Sequence, residues 1–315
     1  MPEPIAFLGT LDAEEEADFL AALAEALPEE SIRPFRTLDA GAREAVRIAI
    51  VANPDPAEVA RLPNLAWIQS LWAGVERLVR DLGTGAAPII RLIDPELART
   101  MAEAVLAWTY YLQRDMPAYR RQQEAGTWRQ LAYRPPAETH VGLLGFGALG
   151  TAAAERLTQA GFRVAAWSRS PKALPPGVAG FSGADGLPSL LAQSDIVVCL
   201  LPLTGETRGL LDAARLAATK PGAGLINFGR GPIVATDALL AALDAGQLSH
   251  AVLDVFEVEP LPPGSPLWRH PGVTVLPHIS GPTTPRSAAA VVAGNVRAYR
   301  ETGRIPAAVD VGRGY

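Results

Sequence analysis

Apolar and polar positions repeat at two different periods along this chain, and the changes of period mark its elements. In the amino-terminal third, apolar runs of strand length occupy residues 5–8, 47–52, 66–71 and 89–93. Between the first two, Phe19, Leu20, Leu23 and Leu27 share one helical face behind Asp12, which predicts a capped helix reaching Leu27. Strands alternating with helices predict a parallel sheet covered on both faces. Asp94-Pro95 starts a further helix, with aspartate as cap and proline in the first turn. It is expected to run past Met101, Val105 and Trp108 until Pro117 interrupts it near Met116. Residues 119–136, rich in Arg, Gln and aromatics, read either as a helix and loop reaching a partner subunit or as a solvated face.

A second series begins at Thr139, with six runs at 141–144, 163–167, 196–200, 224–227, 251–255 and 273–276. A helical stretch at 286–300 leaves it, and the tail 305–315 is expected to return to the first series. The expected organisation is α/β, two doubly wound domains, with residues 100–283 inserted between 1–99 and 284–315. The cleft between them is the expected place for a substrate.

The first run of the second series ends in Gly145-Phe146-Gly147-Ala148-Leu149-Gly150, followed by a helix-compatible stretch and another strand. Strand, glycine turn, helix and strand form the context of a dinucleotide fingerprint. Gly145 allows the tight turn, Gly147 lets a pyrophosphate approach the backbone, and Gly150 lets the helix pack closely. The helix amino terminus offers N–H groups and a positive dipole end to phosphates. In NAD-binding versions an acid ends the second strand, but here Ser168-Arg169-Ser170 stands there and no acid follows before Asp185. Arginine matches a 2′-phosphate, so NADP(H) is the expected cofactor, with NAD(H) possible.

Composition narrows the partners. The 315-residue chain is 49% hydrophobic and 19% charged, which suits a folded globular protein rather than a disordered one. A net charge of −5 gives no reason to expect nucleic acid or an anionic membrane surface. The start Met1-Pro2-Glu3-Pro4 lacks the basic stretch of a secretory signal, and no run of about 18 apolar residues exists to span a bilayer. The single cysteine, Cys199, lies in an apolar run and reads as a buried, inert thiol. A cytoplasmic protein is expected, with no metal site.

Three later segments carry chemistry: Asn227-Phe228-Gly229-Arg230-Gly231, Asp254 to Leu261, and Pro277-His278-Ile279-Ser280-Gly281. Each follows a strand, on the side where the glycine turn would hold its ligand. In the first series, Ser70-Leu71-Trp72-Ala73-Gly74-Val75 also follows a strand. It reads either as an ordinary turn or as a carboxylate cradle, with the backbone of Ala73, Gly74 and Val75 as donors and Trp72 as a wall. His140, His250 and His270 read as structural.

These segments resemble the D-isomer-specific 2-hydroxyacid dehydrogenases, with the nearest likeness to the glyoxylate/hydroxypyruvate reductase A branch. The likeness rests on the glycine turn, Trp167-Ser168-Arg169-Ser170, the Leu200 to Thr207 segment, Glu259-Pro260-Leu261 and the terminal Arg313-Gly314-Tyr315. It implies a Rossmann domain inserted into a flavodoxin-like substrate-binding domain, NADPH preference and a homodimer. It also implies reduction of glyoxylate, hydroxypyruvate or another small 2-oxo acid. Arg230 becomes the substrate-binding arginine, Glu259 the acid paired with histidine, and His278 the acid/base. Met101, Leu201, Pro202, Thr207, Phe228, Gly229 and Asp254 become cofactor neighbours, Asp254 at the nicotinamide carboxamide. Phe228, Gly229 and Trp72 depart from what related enzymes often carry, which bears on which 2-oxo acid fits.

Rival readings are another substrate of the same family, such as D-lactate or a larger 2-oxo acid, and a non-enzymatic dinucleotide sensor of the same fold. A β-hydroxyacid dehydrogenase would begin with the fingerprint domain and use a lysine. Neither Lys172 nor Lys220 is placed for that.

Overall fold

The computed structural model describes residues 3–83 and 85–312, so the terminal Arg313-Gly314-Tyr315 lies outside the described residues. The chain divides into two compact units, Met1–Glu96 with Thr283–Tyr315, and Leu97–Pro282.

In the first unit, strands β1 (Ile5–Gly9), β2 (Ile32–Pro34), β3 (Ile48–Ala52), β4 (Trp67–Ser70) and β5 (Ile89–Ile90) form a parallel sheet in the order β2-β1-β3-β4-β5. That is the flavodoxin-like order. Helix Ala13–Ala26 starts as its sequence dictates. The Asp12 carboxylate accepts the N–H groups of Glu14 and Glu15, and Glu15 accepts the Asp12 N–H in return. Such a cap is worth about 1 kcal/mol. Phe7, Leu23 and Trp67 pack on one face of the sheet with Val292 and Val296 from helix Pro285–Thr302. Leu8, Leu38, Val51 and Leu78 fill the other face. Two polar ties hold the returning helix: Ser287 Oγ donates to Asp94 at 2.7 Å, and Asn295 Nδ2 donates to Gln69 at 2.8 Å. Val309 N–H then donates to Ile89 O at 2.8 Å, so the tail finishes along β5.

The second unit holds β6 (His140–Leu144), β7 (Arg163–Ser168), β8 (Val178–Ser182), β9 (Ile196–Cys199), β10 (Ala223–Asn227), β11 (Leu248–Leu253) and β12 (Val273–Val275). They are parallel, in the order β12-β11-β10-β9-β6-β7-β8. Consecutive crossovers run outward from β6 to β8 and then in the opposite sense from β9 to β12. The reversal leaves a crevice at the carboxyl ends of β6 and β9, the usual ligand position in such sheets. Register brings the other loops to the same level. Leu144 pairs with Trp167 and Cys199, Cys199 with Asn227, Asn227 with Leu253, and Leu253 with Val275. The inner strands β6, β7, β9, β10 and β11 are mostly buried and apolar, as a sheet covered on both faces requires.

Two strands depart from the sequence expectation, which placed six in the second series rather than seven. Strands β2 and β8 each lie at a sheet edge and are half solvated, so neither carries an apolar run to read. Pro34 sits in β2, where a missing N–H costs nothing on the open side. The helix expected to reach Met116 ends at Gln113, and Pro117 stands in the first turn of a new helix, Met116–Glu124. No helix among the described residues is long and apolar enough to cross a membrane.

Candidate active site

The glycine turn sits in the crevice between β6 and β9. Gly145 has φ +104°, a conformation that side chains rarely adopt, and its N–H donates to Trp167 O at 2.9 Å. A Cβ on Gly150 would lie 2.2 Å from the Gly145 carbonyl oxygen, so only glycine lets helix Ala148–Gln159 begin this close to the strand. A Cβ on Gly147 would meet nothing within 4 Å, so this residue faces open space at the helix amino terminus. Gly147 and Ala148 are exposed and Leu149 is half-buried, whereas the Phe146 ring is buried in the core beneath. The turn therefore presents backbone N–H groups and a positive dipole end outward, the requirement for a pyrophosphate.

Loops on either side of this turn supply the flanks. After β7, Ser168 Oγ donates to Ser170 O at 2.8 Å, closing a small turn that carries Arg169 outward. Arg169 Nη1 donates to Glu206 at 2.8 Å. Glu206 lies 37 positions along the chain, well outside the strand end that carries Arg169. After β9, Leu201 is buried, and the Thr207 hydroxyl donates to Pro202 O at 2.7 Å and accepts the Thr204 N–H at 2.8 Å.

Arg230, Glu259 and His278 come together from three separate loops. Asn227 Nδ2 donates to Arg230 O at 3.1 Å, and its Oδ1 accepts the Gly229 N–H at 3.2 Å, which shapes the loop after β10. Phe228 is buried under it, and a Cβ on Gly229 would press on Leu201 O at 2.7 Å. Glu259 is held at both oxygens: Oε1 accepts the Phe256 N–H at 2.8 Å, and Oε2 lies 2.7 Å from His278 Nδ1. With a carboxylate facing Nδ1, that nitrogen carries a proton and Nε2 is left for chemistry. The Glu259 hydrogen bond raises the His278 pKa, helped by the Glu259 and Asp254 charges and opposed by burial and by Arg230. Burial pushes the Glu259 carboxyl up, but its bonds from His278 and Phe256, with the His278 and Arg230 charges, leave it below its ordinary value.

The backbone at His278 is left-handed, φ +56°, an unfavourable state for a residue with a Cβ. Buried Asp254 holds it there, accepting the N–H groups of Ile279 and Ser280, each at 2.8 Å. Sequence reasoning placed Asp254 near the ligand but missed that both oxygens grip the histidine loop. Met101 is buried beside that loop, where a Cβ on Gly281 would meet its Cε at 2.8 Å.

In the first unit, Trp72 turns its indole edge-on to Phe19, with ring centroids 5.8 Å apart, and joins the core there. Ala73 and Gly74 are half-buried in the turn between β4 and helix Glu76–Leu82. The remaining histidines have structural partners. His250 is buried against the Thr274 hydroxyl with its pKa pushed down by burial to about 4. His270 pairs with Asp244, and the His140 N–H donates to Asp195. Burial pushes the Cys199 thiol up to about 12, in keeping with an inert group.

A doubly wound sheet with a glycine turn at its switch point, and a carboxylate–imidazole pair beside an arginine at the same edge, defines a class of dinucleotide-dependent oxidoreductases. The profile described as D-isomer specific 2-hydroxyacid dehydrogenase, NAD binding domain, matches residues 106–280, and the chain belongs to that family. It is 38% identical over 305 residues to glyoxylate/hydroxypyruvate reductase A of Serratia proteamaculans, covering 95% of this chain and 96% of the relative. A D-isomer specific 2-hydroxyacid dehydrogenase from Xanthobacter autotrophicus Py2, solved with NADPH and MES, is 44% identical with a TM-score of 0.92 and full coverage of both chains. The NADPH-dependent glyoxylate/hydroxypyruvate reductase of Sinorhizobium meliloti, solved with NADP and sulfate, is 33% identical with a TM-score of 0.90, covering 99% of this chain and 100% of that one.

Proposed function

We propose that this protein reduces a small 2-oxo acid, glyoxylate or hydroxypyruvate, to the D-2-hydroxy acid at the expense of NADPH. The observation that carries the reading is His278, locked by Glu259 at 2.7 Å with Nε2 left over, at the sheet edge that also bears the glycine turn. The residues fit a dinucleotide: the outward-facing Gly147 and the helix behind it suit the pyrophosphate, and Arg169 suits a 2′-phosphate. When bound, the reduced nicotinamide supplies the hydride. His278, protonated at Nε2, hydrogen-bonds the carbonyl oxygen and delivers its proton as negative charge builds there. Arg230 binds the carboxylate or polarises the carbonyl, and the turn at Trp72, Ala73 and Gly74 is a carboxylate cradle in its own right. Asp254 holds the histidine loop, with Met101 packed beside it.

A homodimer is part of the proposal. It is supported by the Met116–Glu124 helix and the following loop, where Met116, Trp128 and Tyr133 are exposed. A cytoplasmic setting accords with a lone, buried cysteine.

The test is NADPH absorbance with a panel of 2-oxo acids. Oxidation with glyoxylate or hydroxypyruvate is expected to exceed that with larger acids. No oxidation with any of them leaves a binding protein of the same fold.

The proton step sets a pH dependence. Reduction needs imidazolium, and Glu259 raises the His278 pKa, so the rate persists above the ordinary histidine range and falls as pH rises through the raised value. Glu259→Gln removes the carboxylate while burial and Arg230 still favour neutral imidazole. The upper limb of the pH–rate profile is expected to move to lower pH. A limb that stays in place, or moves up, assigns the titration to another group.

A further inference from the structure

We infer that Glu206 moderates the preference of this site for a 2′-phosphorylated dinucleotide, by holding Arg169 as a counter-ion that the phosphate must displace. The inference rests on the reading of Arg169 as the 2′-phosphate ligand. The strand order β9-β6-β7 puts the loops after β9 and β7 on opposite sides of the glycine turn. With neighbouring strands ~4.8 Å apart, those loops stand about 10 Å from each other. The Arg169–Glu206 pair spans that gap at 2.8 Å, across the crevice in which the adenosine end would lie.

The loop that carries Glu206 is braced by bonds of its own. Thr204 and Thr207 close their loop by hydroxyl bonds at 2.8 Å to Thr204 N–H and 2.7 Å to Pro202 O. Arg208 N–H donates to Thr204 O at 3.0 Å, and Gly209 N–H to Pro232 O at 2.8 Å. These bonds brace the backbone on either side of Glu206 independently of Arg169.

Both partners are exposed, which makes the pair weak and easily exchanged. A phosphate offers the guanidinium several charged oxygens and is the stronger partner. Once Arg169 turns to it, the Glu206 carboxylate is left on its braced loop as a like charge nearby. The exchange and the repulsion both act against NADPH, and neither acts on the uncharged 2′-hydroxyl of NADH. Glu206 is therefore a specificity-determining residue that the strand-end window of the sequence does not contain.

The test titrates the whole enzyme with NADPH and with NADH at low ionic strength, following cofactor fluorescence. It uses wild type, Glu206→Gln, Arg169→Ala and the double variant; glutamine keeps the size of the side chain and removes its charge. The Kd for NADPH is expected to fall about fivefold in Glu206→Gln, the scale of an exposed ion pair. The Kd for NADH should not move, and the gain should vanish in the Arg169→Ala background and shrink at high salt. Unchanged or weaker NADPH binding in Glu206→Gln, with Arg169→Ala still losing NADPH affinity, overturns the inference and leaves the reading of Arg169 standing. NADPH affinity unaffected by Arg169→Ala overturns that reading, and the inference with it.

Discussion

Turnover of a His278→Ala variant is expected to fall about 10²–10⁴-fold, the usual contribution of a positioned acid/base, with NADPH affinity retained. The geometry gives the reason for separating the two effects. His278 meets the rest of the protein through Nδ1 and Glu259, and its loop is held by Asp254 through the backbone of Ile279 and Ser280. Removing the imidazole leaves those backbone bonds and the glycine turn in place. The bonds that hold the loop run between Asp254 and backbone N–H groups and do not involve the imidazole, so loss of fold is not the expected failure. The check is steady-state kinetics beside cofactor titration. Near-normal turnover refutes the proton-transfer role, and lost cofactor binding reassigns the residue to structure.

A second large loss is expected from a residue that bears no functional group. A Cβ on Gly231 would lie 2.0 Å from the Phe256 carbonyl carbon and 2.4 Å from its Cα. Those atoms are backbone, so one of the two loops must move. Phe256 N–H is the group that holds Glu259 Oε1, so the displacement reaches the Glu259–His278 pair although neither residue is changed. Misplacement by about 1 Å costs on the order of 10²-fold in rate. Gly231→Ala is therefore expected to lose about that much turnover, with its pH–rate limb moved to lower pH as the grip on His278 slackens. Gly264→Ala is the control, because a Cβ there meets nothing within 4 Å. Normal kinetics in Gly231→Ala, with an unmoved limb, would show that the loops yield without disturbing Glu259.

The sheets were legible where strands are buried on both faces. Residues 48–52 and 196–199 are continuous apolar runs because helices cover both sides of them. Strands β2 and β8 escaped notice for the opposite reason, since an edge strand open to water needs no such run. The glycine turn was legible because backbone geometry restricts the residue type: φ +104° at Gly145 and a 2.2 Å approach at Gly150 both demand glycine. What the sequence concealed were relations made through space. The Glu206 partner of Arg169, the Phe256 N–H behind Glu259 and the Asp254 grip on the His278 loop all join segments whose spacing carries no periodic signal. Trp72 shows the limit in another way, because its place after a strand was readable but its packing on Phe19 was not.

The return of the chain to β5 also bears on the order of assembly. The inserted unit is a single continuous stretch, so every strand of its sheet is synthesised before the last helix. The first unit is in a different position. Its sheet strands are synthesised first, but helix Pro285–Thr302, which covers Phe7, Leu23 and Trp67, and the Val309 bond to β5 come last. During synthesis that apolar face has only helix Ala13–Ala26 over it while the inserted unit matures. A nascent chain cut short before residue 285 would therefore carry a finished dinucleotide fold beside an incomplete, aggregation-prone partner.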